Sequence, residues 1–198
     1  MSAENDAENR ADTAGSLTAV VREIEAHASA AGWDAPEQLF ALVGTADLVR
    51  SQPHLAELLG ISADDAGAAD GVTPVEQEPL PAGQTLEDVL AGIVWPAEVA
   101  GVAAVAERLV LPPGADLEAP EDPVAAREFA ASHPDRQEVR MVAAVLRTGE
   151  TACALRLRSH DADDLVLTGP DLVPPLLSLL HATLDPEDTP DELSLIHI

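Results

Sequence analysis

Lysine and tyrosine are absent from this chain, and only two Phe, two Trp and one Cys are present. Without lysine, a phosphate-binding P-loop and Schiff-base chemistry are both excluded. The single Cys153 excludes an internal disulfide and a thiolate metal cluster, and it suits a reducing compartment. So few aromatics force a core of Leu, Val, Ile and Ala, with little surface for stacking nucleic-acid bases. No apolar run approaches the roughly 20 residues of a membrane helix, and MSAENDAENRAD lacks a basic-then-apolar leader pattern, so a cytoplasmic protein is expected. GxGxxG, GxSxG and HExxH are all missing, so no catalytic residue, cofactor or metal site is expected, and the chain leans away from being an enzyme.

What is there is acid. Thirty-six Asp and Glu stand against ten bases, all Arg, for a formal charge of -26. Such a field repels phosphate polymers and anionic lipid, so neither nucleic acid nor a membrane is an expected partner. An Arg-only, Ala-rich vocabulary also suggests a GC-rich genome. At 198 residues and 46% hydrophobic, the chain has room for one domain with a proper core.

Acidic tails expected to be disordered occupy 1–14 and 186–198, around a single α+β domain at 15–185. Leu17, Val20, Val21, Ile24 and Ala28 recur at helical spacing and Gly32 follows as a stop. Leu39 to Val43 and Val99 to Leu111 read as strands. Pro53 to Gly60, the TLED capping box at Thr85, Asp122-Pro123 and Asp171 with its following prolines each announce a helix. The stretch 61–83 is rich in Ala, Asp, Gly and Pro and reads largely as surface loop, with VEQEPLP running extended. The expected fold is therefore an antiparallel sheet of about three to five strands, including a C-terminal hairpin, packed by several helices.

The hairpin of EVRMVAAVL and ETACALRLR can be set in register. A three-residue loop Arg147-Thr148-Gly149, with Gly149 left-handed, pairs Val139 with Leu157, Met141 with Leu155 and Ala143 with Cys153, making one face wholly apolar. Cys153 is then a buried small hydrophobe. The other face sets Arg140 opposite Arg156 and Glu138 opposite Arg158. Opposed like charges demand an acidic answer. That answer comes either from an intramolecular partner, such as Glu107 or a carboxylate of the acidic loop, or from an acidic peptide or small anion. Arg140, Arg156 and Arg158 are thus the candidate binding residues, with His133 or His160 nearby if the ligand is small. HDADD (160–164) lacks a calcium-loop frame and reads as a solvated turn, and Trp95 as a half-buried anchor.

The segments EIEAHASAAGWDAPEQLFALV, VTPVEQEPLP, WPAEVAGVAAVAERLVLPP, HPDRQEVRMVAAVL, CALRLRSHD and GPDLVPPL together resemble a family of small acidic actinobacterial proteins of unknown function, whose type member comes from a propionibacterium. The resemblance runs over roughly 15–185 and implies no catalytic residues. It stops short of the terminal LSLIHI (193–198), which matches the in-frame translation of a transposon end used in library preparation and is set aside as a sequencing-adapter scar. The element order is also similar to small secretion-chaperone-like folds. The expected function is a non-enzymatic protein-interaction or chaperone-like adaptor, binding a protein partner or forming a homodimer. The alternative is a small-molecule or anion binder, or an enzyme, centred on the arginine face.

Overall fold

The computed structural model describes residues 17–58, 60–61, 71–112, 114–115, 119–120 and 122–184. The expected tails, the LSLIHI segment expected to be a scar and residues 62–70 of the expected loop lie outside the described residues.

The elements run α1 (residues 17–30), β1 (Gln38–Gly44), α2 (Thr45–Ser51), α3 (Pro53–Leu58), β2 (Val72–Glu76), α4 (Leu86–Gly92), β3 (Val99–Val110), α5 (Pro123–Ser132), β4 (Gln137–Leu146), β5 (Thr151–Leu157), β6 (Leu167–Gly169) and α6 (Pro174–Leu184). Two short 3-10 turns, Arg158–His160 and Asp163–Leu165, join β5 to β6. The architecture is α+β. All six described strands form one antiparallel sheet in the order β2-β1-β3-β4-β5-β6.

Three layers result. Leu17, Val20, Val21, Ile24 and Ala28 of α1 pack on the sheet face that carries Phe40, Ala103, Val142 and Ala154. Leu86 and Leu90 of α4, with Leu177, Leu180 and Leu184 of α6, cover the opposite face over Val102, Ala104, Ala143 and Cys153. Alanines at the centre of β3 and β4 leave no bulk above the pleat, so the buried contacts lie close to the strands. Gly101 is the tightest point: a Cβ there would strike the Val145 carbonyl oxygen and the Leu146 side chain.

The local chemistry works as the sequence predicts. Thr85 and Asp88 form a reciprocal capping box on α4, and Asp122 accepts from Val124 and Ala125 N–H at the start of α5. Gly149 has φ +88°, and Val139, Met141 and Ala143 face Leu157, Leu155 and Cys153 in the expected register. Arg147, in the hairpin turn, donates to the carbonyl oxygens of Val99 (2.8 Å), Trp95 (2.9 Å), Pro96 (3.0 Å) and Leu184. A cation so placed satisfies carbonyls at the end of α6.

Six strands replace the expected three to five. β2 lies inside the stretch taken mostly as loop, because Pro74 obscures a strand that sits at the sheet edge. Gln77 N–H donates to Leu39 C=O at 2.9 Å. By alternation the odd positions of β2 then face β1, and Pro74 falls among the outward positions, where its missing N–H blunts the edge. β6 has only three residues and follows three aspartates, too little pattern to announce a strand.

Candidate functional site

Arg140 and Arg156 stand directly opposite each other on β4 and β5, on the face beneath α1. They are 1% and 3% exposed. Two guanidiniums cannot be buried together unless carboxylates come with them. α1 supplies the central one. Glu25, 2% exposed, sits on the inward stripe between Val21 and Ala28. Its carboxylate grips Arg156 in a fork, Nε to Oε1 at 2.6 Å and Nη2 to Oε2 at 2.8 Å, while Arg140 Nη1 lies 3.8 Å from Oε1.

Other donors are answered from three directions, while the buried Arg140 Nη1 has no hydrogen-bond partner among the described residues. Glu107, paired with Arg140 across β3 and β4, accepts from its Nε (3.0 Å) and Nη2 (2.8 Å), and the same Nη2 reaches the Gly32 carbonyl oxygen. Asp161 and Asp163 accept from Arg156 at 3.0 and 2.8 Å. The expected solvated HDADD turn is therefore also a source of ligands to a buried cation. Arg158 is held in a second fork by Asp34, both contacts at 2.9 Å, and also reaches Glu138.

Trp33 closes the cluster. Its indole lies under Arg140, 4.4 Å from ring centroid to guanidinium carbon, with Arg158 at 5.5 Å, and its Nε1–H donates to Asp161 at 2.9 Å. Such stacking adds cation–π attraction to the ion pairs. The turn that presents Trp33 needs two left-handed residues, Gly32 (φ +89°) and Asp34 (φ +64°). Asp34 tolerates that geometry better than most residues. Its backbone N–H donates to Glu107 at 2.8 Å.

The electrostatics follow from these contacts. Hydrogen bonds from Arg158 hold the Asp34 carboxyl below its ordinary range, and the Trp33 N–H, then Arg156, do the same for Asp161. The Arg156 guanidinium is held more firmly protonated, chiefly by Glu25, and that of Arg158 chiefly by Asp34.

The predicted arginine face is thus answered from inside. The anticipated Glu107 is one partner; Glu25, Asp34 and Trp33 are additions that sequence reasoning did not name. The signal available was Glu25 itself, a charge in the apolar stripe of α1. In sequence, residues 136–158 hold five Arg and two Glu. In space, the three guanidiniums of Arg140, Arg156 and Arg158 meet the six carboxylates of Glu25, Asp34, Glu107, Glu138, Asp161 and Asp163, a formal surplus of three negative charges. The sign of the patch reverses on folding.

His133 and His160 do not join this cluster: His133 Nδ1 accepts from Asp135 N–H and His160 Nδ1 bonds Ser159. A cleft of about 510 Å³ beside Arg158 is lined by Asp135, Arg136, Gln137, Glu138 and Ser159, with as many acids as bases. A second, of about 670 Å³, has an apolar floor of Ala41, Val43, Val75 and Val99 beneath α2, rimmed by Arg50 and Glu98. Cys153 is fully buried, and burial pushes its thiol up. Trp95 is half-buried against the α4/α6 core, as expected of an anchor.

An apolar surface is left partly uncovered near the β6 edge. On the face shared with Cys153, Met141, Leu155 and Leu157 are partly exposed and Leu167, opposite Leu155, is 59% exposed. Leu165, in the turn before β6, is 49% exposed. Asp163, whose side chain is 96% exposed, and Asp164 immediately precede it. Asp163 bonds Arg156 on the α1 face, so the apolar strip lies on the other face of the β6 edge.

No curated protein and no solved structure matches the chain. The sequence model of one family does, over residues 17–185, nearly the whole span of the expected domain, and the chain belongs to the PPA1309-like protein family.

Proposed function

We propose that this protein is a non-enzymatic protein-interaction module that holds a partner on the apolar strip of its β6 edge. The observation that carries the reading is the exposure of Leu167 beside partly exposed Leu155, Leu157 and Met141 on one sheet face, with exposed Leu165 in the turn just before it. Clustered apolar side chains at a surface mark contact sites more often than scattered ones do. Arg140 and Arg156 support it by exclusion, since both guanidiniums are buried and ion-paired within the fold. A formal charge of -26 opposes a second copy, so a heterologous partner fits better than a homodimer.

The test is photo-crosslinking in cells of the source organism, with a benzophenone side chain at position 167 and a control at exposed position 57. One discrete protein adduct is expected at 167, absent at 57 and lost on Leu165→Asp. Equal adducts at both positions, or none at 167, would contradict the reading.

A small-molecule reading moves away from the arginines. The cleft under α2 has the volume and apolar floor of a ligand site. A metabolite thermal-shift screen in which Val75→Trp abolishes the shift would establish it.

A further inference from the structure

Resting on the small-molecule reading of the cleft under α2, we infer that its ligand is an aliphatic amine, with the hydrocarbon on the Ala and Val floor and the ammonium at Glu98. The cleft is built on one sheet face. Ala41 pairs with Val75 on one side and with Val102 on the other, and Val102 belongs to the layer covered by α4 and α6. Directly paired residues share a face, so the floor of Ala41, Val43, Val75 and Val99 looks into the same space of about 670 Å³ that Leu48 of α2 walls. That volume is in the range of small-ligand sites. No aromatic ring lines it among the described residues. A flat heteroaromatic ligand therefore has nothing to stack on, whereas a flexible hydrocarbon body sheds water against every part of the floor.

The rim sets the charge of the head group. Its charged side chains are Asp47, Arg50 and Glu98, one base against two acids. Arg50 is paired with Asp47. That pair is exposed and weak, yet the rim keeps a surplus of one negative charge however Arg50 turns. Glu98 is exposed and has no hydrogen-bond or ion-pair partner among the described residues. It differs in this from Asp34, Asp161 and Asp163, which are engaged by Arg156 and Arg158. An ammonium, a compact cation that donates from every N–H, answers Glu98, and a carboxylate or phosphate head would meet it as a like charge. Ser51, Gln52 and Gln77 complete the rim as neutral groups.

Nuclear magnetic resonance of the 15N-labelled full chain tests this with hexylamine, hexanol and hexanoate. Physiological ionic strength screens charges beyond about 8 Å, so the distant acids of the chain do not decide the outcome. All three probes are expected to shift the amides of Ala41, Val43, Val75 and Val99, with hexylamine binding about three- to tenfold tighter than hexanoate. Glu98→Gln, a substitution at an exposed position, should draw those two affinities together and leave hexanol unchanged. Equal affinities in the wild type, or a preference that survives Glu98→Gln, would overturn the amine assignment, while hexanol at the floor upholds the cleft. No shift at the floor with any probe would overturn the inference and the small-molecule reading with it.

Discussion

Arg140 and Arg156 face each other across β4 and β5, both buried, and share the carboxylate of Glu25 from α1. Glu25 is therefore a residue whose loss is costly. Glu25→Gln leaves two buried guanidiniums opposed without their common counter-charge, and breaking a buried pair in this way typically costs about 3–5 kcal/mol. Urea denaturation should show that loss in midpoint. A change within about 0.5 kcal/mol, the ordinary range of an exposed substitution, would mean that the cluster does not hold α1 to the sheet.

Acid should loosen the same cluster. Asp34 and Asp161 have folded pKa values below their ordinary ones, so their contribution is complete above the unfolded value and is lost as pH falls through the folded one. Thermal midpoints should hold steady from neutrality and drop below about pH 4. Asp34→Asn should flatten part of that drop. An unchanged slope would remove Asp34 from the account.

Two glycines make contrasting demands. Gly149→Ala meets open space but keeps a left-handed backbone, at a cost of about 1 kcal/mol. Gly101→Ala meets the Val145 carbonyl, which cannot swing away, and should cost more, about 1–3 kcal/mol or beyond. Denaturation midpoints in that order check the tight β3–β4 approach.

Cys153, fully buried with its thiol shifted up, should resist a thiol reagent in the native state and react at the rate of global opening. Fast labelling of folded protein would place Cys153 outside the core.

The hairpin was legible because strand parity couples every position: once Gly149 takes the left-handed place, Arg140, Cys153 and Leu157 have no freedom of face. The need for an acidic answer followed from Arg140 opposing Arg156, and Glu107 was within reach of that argument because β3 is long and central. Asp34 and Trp33 were not. They reach the cluster through a left-handed turn after α1, and periodicity says nothing about where a turn points. β2 was hidden by Pro74, tolerated only because that strand is an edge. β6 was hidden by brevity, and with it the exposed Leu165 and Leu167 that now carry the functional proposal.

The most direct test compares the crosslink at position 167 in two backgrounds. Arg158→Gln alters the half-exposed margin of the cluster, and Leu165→Asp alters the strip. The account predicts that the partner adduct survives Arg158→Gln and disappears with Leu165→Asp, both variants retaining the wild-type circular dichroism spectrum. An adduct lost with Arg158→Gln and retained with Leu165→Asp would return the binding site to the arginines and contradict it.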